Sequence, residues 1–332
     1  MARADLLILL VQTGIKGDTV RFKKVVESII AEERSKQHTV LAEKLNALIN
    51  DSKGSFTTGG SILDPRMGNL FYEIMPQRKL SELILPNAVE QISQSLIQEH
   101  FRRDLLRSYN IEPRNRVLLI GPPGNGKTSL AEAIAEALAV PLILVRYESI
   151  VGSFLGETAT RLNKLFEYTA TRQCVLFFDE FETIGKERGD LHETGEIKRV
   201  VSSLLLQIDK LPSHVLVIGA TNHAELLDRA VWRRFQIRML LPAPDTASLT
   251  EWFRRFERRL KMPLGYSAAT LAKRFLGSNF SDVEEFGRTV FRQYVLELPN
   301  SDLKRIVSQN LQSWSAQSFS MTHEIEPKMQ DA

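Results

Sequence analysis

Cysteine is almost missing from this sequence: Cys174 stands alone among 332 residues, which excludes an internal disulfide and any multi-cysteine zinc site. Long hydrophobic runs are missing as well. The most apolar stretch near the start, Leu6 to Val11, is far short of the roughly 20 residues a bilayer requires, and it lacks the flanks of a secretion signal. No membrane association is therefore expected, and the default compartment is cytoplasmic. An excess of one charge is also absent, since 43 basic residues face 40 acidic ones. The resulting net charge of +3 gives no argument for nucleic acid. The zinc-protease pattern HExxH is absent too, because His192-Glu193 and His323-Glu324 both lack the second histidine. Any proteolysis linked to this chain must come from a partner. What is left is an ordinary globular composition, 43% hydrophobic and 25% charged, in a chain long enough for two or three domains with real cores.

The most informative stretch runs from Gly121 to Ser129, Gly-Pro-Pro-Gly-Asn-Gly-Lys-Thr-Ser. It fits the phosphate-loop pattern G-x-x-x-x-G-K-[ST], directly after the apolar run Val117 to Ile120 and before a helix-forming run from Leu130 to Leu138. Gly121, Gly124 and Gly126 permit backbone conformations closed to other residues, so that successive N–H groups, with Pro122, Pro123 and Asn125 between them, can turn toward one anion. The start of the following helix adds its partial positive charge at the same point. Lys127 can reach the outer phosphates of a nucleoside triphosphate, and the Thr128 hydroxyl can hold one position on a magnesium ion. A nucleoside triphosphate with Mg2+ is the expected ligand.

Apolar segments at 117–120, 142–145, 174–178, 215–218 and 237–241 alternate with helical segments, which predicts an α/β fold with a five-stranded parallel sheet covered on both faces. Ligands then sit at the carboxyl ends of the strands. The third of these strands runs into Asp179 and Glu180, and two adjacent carboxylates at the exit of a buried strand imply a metal ion. Asp179 would hold magnesium through its water shell, and Glu180 would orient or deprotonate the attacking water. Asn222 closes the next strand, where its amide could touch both that water and the γ-phosphate. Arg233 and Arg234 precede the fifth strand with no obvious partner in their own site. Supplied by a neighbouring copy, they could neutralise charge on the departing phosphate, a use that implies a ring.

In this order, GPPGNGKT, VLFFDE, GATN and the arginine pair resemble the AAA ATPase family, in the branch of ring-forming unfoldases and remodellers. The resemblance covers about Leu80 to Val307. It implies ATP as the nucleotide, a nucleotidase core at 80–243, a helical lid at 244–310 and a hexamer, with Lys127 and Thr128 on phosphate and magnesium, Asp179 on magnesium, Glu180 as catalytic carboxylate, Asn222 as a sensor and Arg233 and Arg234 as fingers in trans. Two departures stand out. Family members usually carry a proline and a glycine between the arginines, which here are adjacent, and the lid stretch GSNFSDVEEF has Ser278 and Ser281 where other branches carry an arginine. The second departure favours the remodellers. Residues 153–166 resemble the family's first pore loop, with Phe154 and Leu155 as the pair that grips an extended polypeptide by apolar contact. The run Lys186 to Glu196 is either a second pore loop or a turn.

Ahead of this core, residues 1–50 read as a small helical module, either for recruitment or as a cap, and the glycine-rich stretch opening the expected linker at 51–79 favours recruitment. The helical start is similar to that of small bacterial AAA proteins paired with a subtilisin-like serine protease and associated with phage defence, which implies such a protease in trans. Residues 311–332 are polar and expected to form a flexible tail. Trp252 to Lys261 reads as a helix with Trp252, Phe253, Phe256 and Leu260 on one side and a solvated basic face on the other. The competing functions are a DNA-acting helper ATPase and a nucleotide-gated assembly scaffold.

Overall fold

The computed structural model describes residues 70–146, 155–182 and 194–323, together with Val26 and Ser28. The chain divides into two units, Met1–Leu63 and Asp64–Ala332. The expected N-terminal module falls almost wholly outside the described residues, as do the first part of the expected linker, Phe154 and Lys186 to Glu193 of the run expected as a second pore loop or a turn.

The second unit is built on a six-stranded sheet with strands β1 (Phe71–Ile74), β2 (Arg116–Ile120), β3 (Leu142–Val145), β4 (Cys174–Phe178), β5 (Val215–Thr221) and β6 (Ile237–Leu240), in the spatial order β1-β3-β4-β5-β2-β6. The five strands from β2 onward pair in parallel, as the alternating pattern requires. β1 adds an antiparallel edge, with Phe71 opposite Val145 and Ile74 opposite Leu142. It lies inside the stretch expected as linker. Tertiary contacts make it a strand: Phe71 is buried with its ring 4.9 Å from that of Tyr168, and Glu73 accepts a hydrogen bond from the Tyr168 hydroxyl at 2.8 Å. A run of four residues carries too little pattern to show this on its own.

The helices of the core are α1 (Asn87–Phe101), α2 (Arg103–Ser108), α3 (Lys127–Ala137), α4 (Leu155–Ala170), α5 (Thr194–Lys210) and α6 (Arg229–Arg234). α3 carries Ala131, Ala133 and Ala135 beside Leu130 and Ile134, all fully buried, and these small side chains let its axis approach the sheet closely. Every residue of β4 and β5 is buried, so neither strand can carry a charge until it leaves the sheet. The carboxyl ends of β2, β4 and β5 therefore deliver Gly121, Asp179 and Asn222 to one edge.

The lid consists of α7 (Thr246–Leu260), α8 (Ala268–Arg274), α9 (Phe280–Leu296) and α10 (Leu303–His323). Its core joins Phe253, Phe256, Phe275, Phe286 and Val290, and α7 buries the face expected of it. Gly287 permits the close crossing of α7 and α9, since a Cβ there would stand 2.6 Å from the Trp252 ring. Leu311 and Trp314, which the sequence places in a polar tail, lie on α10 and pack against this core. Among the described residues no helix is long and apolar enough to cross a membrane.

Cys174 is 1% exposed, and burial pushes its thiol up to about 12. Because the thiolate is the reactive form, a disulfide reagent should label the native protein only as fast as the core opens, and promptly in concentrated guanidinium chloride. Rapid labelling under native conditions would contradict this packing.

Candidate functional site

The phosphate loop is shaped by glycines where nothing else fits. Gly121, with φ at +154°, leaves β2 so close to β6 that a Cβ would stand 2.0 Å from the Leu241 carbonyl oxygen. Gly124 and Gly126 take left-handed conformations, φ +76° and +82°, and Gly126 caps the start of α3. Pro122 and Pro123 are exposed, and buried Asn125 accepts a hydrogen bond from the Phe280 N–H at 3.4 Å. Ser281 also reaches the loop: its N–H and its hydroxyl donate to the Gly124 carbonyl at 3.0 and 3.2 Å. The start of the lid helix α9 is thus tied to the turn that would hold phosphate.

Lys127 is 6% exposed, and its ammonium donates to the carbonyls of Gly121 at 2.6 Å and Pro122 at 3.0 Å and to Asn222 Oδ1 at 2.6 Å. Burial lowers its pKa, against the pull of Asp179 and Glu182. All three N–H groups thus rest on neutral oxygens, and an anionic phosphate oxygen is a stronger acceptor than any of them. Thr128 Oγ1 donates to Asp179 Oδ2 at 3.1 Å, and Asp179 Oδ1 accepts the Glu180 N–H at 3.0 Å.

Glu180 is exposed and has a left-handed backbone, φ +47°. For a residue with a Cβ this costs roughly 1–2 kcal/mol. The anchor is the next residue: the Phe181 N–H donates to the Ala220 carbonyl at 2.8 Å, and its fully buried ring meets Phe178 and Phe235 edge-on. The chain is thereby forced to turn at Glu180, which presents that carboxylate at the sheet edge.

Asn222 makes its side-chain contact with Lys127, while its N–H donates to Glu182 Oε1 at 3.1 Å. Glu182 is a residue the sequence reading passed over. It is 6% exposed, and its Oε2 is buried with no hydrogen-bond partner among the described residues. The available signal was a third acid two positions after Glu180, beside a phenylalanine. The two arginines, expected alike to be without a partner, are divided by the structure. Arg234 pairs with Asp209 at 2.8 Å and donates to the Ala230 carbonyl at 3.2 Å, whereas Arg233 is exposed and makes no hydrogen bond or ion pair among the described residues. Phe154 is outside the described residues, and Leu155 opens α4.

Between core and lid lies a cleft of about 850 Å³ that meets the phosphate loop at Gly124, Asn125, Gly126 and Ser129. Leu83, Leu85, Trp252 and Phe256 give it apolar walls, the character of a site for the flat part of a small ligand.

Residues 117–243 match the family described as ATPase family associated with various cellular activities (AAA). The uncharacterized AAA family ATPase y4kL of Sinorhizobium fredii is 32% identical over 90% of this chain and 91% of its own length. An AAA ATPase forming ring-shaped complexes from Corynebacterium urealyticum is 29% identical over 69% of this chain, and a cell division cycle protein 48 homolog from Archaeoglobus fulgidus 30% identical over 61%. The chain spans 50% and 28% of the lengths of these last two.

Proposed function

The chain belongs to the AAA family of ATPases, and from that premise we propose that it hydrolyses ATP between adjacent copies of itself in a ring, expected to be a hexamer, and uses the turnover to pull a polypeptide through the central pore. The observation that carries the reading is the division of the arginine pair. Arg234 is held in its own chain by Asp209, and Arg233 is left exposed, a cation with no ion-pair partner among the described residues and available to a second copy. The names of the corynebacterial relatives, which form ring-shaped complexes, support the assembly.

In this reading Lys127 exchanges a neutral acceptor for a phosphate oxygen, and Asn222, held through its backbone by Glu182, follows that exchange directly. The adjacent oxygens of Thr128 and Asp179 fit a magnesium ion, a hard cation that accepts few protein ligands beside phosphate and water. When bound, magnesium withdraws charge from the phosphate oxygens. Glu180 takes the proton of the attacking water, and Arg233 of the neighbouring copy meets the charge that develops. A subtilisin-like protease fed in trans, a role in phage defence and a cytoplasmic location complete the proposal. The protease and the defence role rest on the resemblance of the helical start and on the lack of an HExxH motif, and the location rests on the single cysteine and the short apolar runs of the sequence.

The test is Phe154→Ala. ATP hydrolysis should persist while ATP-dependent unfolding of a tagged fluorescent protein is lost, followed as decay of its emission. Turnover stimulated by DNA and indifferent to Phe154 would contradict threading and favour a DNA-acting helper.

A further inference from the structure

The cleft between core and lid holds a cation for which the proposed function has no use. Arg78 lies between β1 and the short 3-10 turn Leu80–Glu82, half buried, and its Nη1 donates to Ser129 Oγ at 2.6 Å. Its Nε is 3.9 Å from Glu132 Oε2, and the N–H of Gln77 donates to Glu132 Oε1 at 3.3 Å. Glu132 therefore holds the segment through Gln77, and its second oxygen stands beside the guanidinium at a distance too long for a hydrogen bond. Other arginines of the cleft are already engaged. Arg255 donates to the carbonyls of Ser81, Glu82 and Leu83 at 3.0, 3.2 and 3.3 Å and pairs with Glu251, Arg258 pairs with the same Glu251, and Arg259 lies over the Phe256 ring at 5.3 Å. Arg78 alone of the four bonds to the phosphate-loop segment, and its Nη2 has no hydrogen bond among the described residues.

We propose that Arg78 contacts the nucleotide, binding the phosphate nearest the nucleoside, which ATP and ADP share. The cleft is lined by Ser129 and not by Lys127, Asp179 or Asn222; Lys127 rests on the loop's own carbonyls and on Asn222, and Asp179 on the Thr128 hydroxyl. A nucleoside seated in the cleft thus sends its phosphates past Ser129 first and toward Lys127 last. A guanidinium at Ser129 meets the first phosphate, and its planar fork can keep Ser129 while taking a charged oxygen.

This inference rests on the ATP-site reading, so the experiment separates the two. Binding of fluorescently labelled ADP and ATP is measured for the full chain and for Lys127→Ala, Arg78→Gln and Glu132→Gln. Arg78→Gln should weaken ADP and ATP by the same factor, roughly tenfold, the loss expected of a charge-assisted hydrogen bond. Glu132→Gln, which frees the guanidinium of a competing carboxylate, should bind both as well as the unaltered chain or more tightly. Unchanged binding in Arg78→Gln overturns the proposal, and so does an equal loss in Glu132→Gln, which would make Arg78 a staple for its own segment. A loss confined to ATP would also overturn it, placing the guanidinium at the outer phosphate. If Lys127→Ala loses binding while Arg78→Gln keeps it, only the role of Arg78 fails; if Lys127→Ala still binds, the nucleotide site itself is misassigned.

Discussion

Glu180→Gln is expected to lower the rate of ATP hydrolysis by about 10²- to 10⁴-fold while ATP still binds, the range for removal of a positioned general base. The substitution is informative because it changes so little else. Glutamine has nearly the same shape, and the left-handed backbone at position 180 is imposed by Phe181, whose N–H is anchored on Ala220 and whose ring is locked between Phe178 and Phe235. The bond from the backbone N–H to Asp179 also survives, so the expected magnesium site keeps its carboxylate. Single-turnover hydrolysis of labelled ATP, read beside equilibrium binding, separates loss of chemistry from loss of affinity. Undiminished hydrolysis in this variant would remove Glu180 from its role.

The second large effect belongs to Arg233. Arg233→Ala should reduce hydrolysis by about 10³- to 10⁵-fold, the range reported where an arginine finger has been isolated, with ATP binding to the separate chain retained. Arg234→Ala should act differently. Arg234 and Arg116 share Asp209, so the loss of Arg234 removes one partner from a partly exposed network and costs about 0–1 kcal/mol of stability. The contrast is measured by steady-state hydrolysis and thermal melting of the two variants side by side. A slow Arg234→Ala with an active Arg233→Ala would exchange the two roles.

The sequence is most legible where local rules leave few alternatives. Glycines at 121, 124 and 126 occur where the backbone is left-handed or a Cβ would strike another strand, so the motif and the geometry are two descriptions of one constraint. Asp179 and Glu180 could be read because a fully buried strand must release its first charges at the sheet edge. What escaped notice depends on distant partners. β1 becomes a strand through Val145 and Tyr168, Arg78 becomes interesting only beside Ser129, and the arginine pair is divided by Asp209 from the preceding helix. Glu182 escaped for another reason: its carboxylate turns inward to the Asn222 N–H, and sequence alone does not tell an inward acid from a solvated one.

The shared site is tested most directly by mixing two inactive proteins. Lys127→Ala copies, unable to hold nucleotide but carrying Arg233, are combined with Arg233→Ala copies that bind nucleotide but lack the finger, and ATP hydrolysis is measured beside the mass of the mixed assemblies. Hydrolysis should return in the mixture, because some Arg233→Ala sites then face an intact Arg233 on a Lys127→Ala neighbour. Mixed assemblies that form in full and stay inactive would contradict a site completed by the adjacent copy.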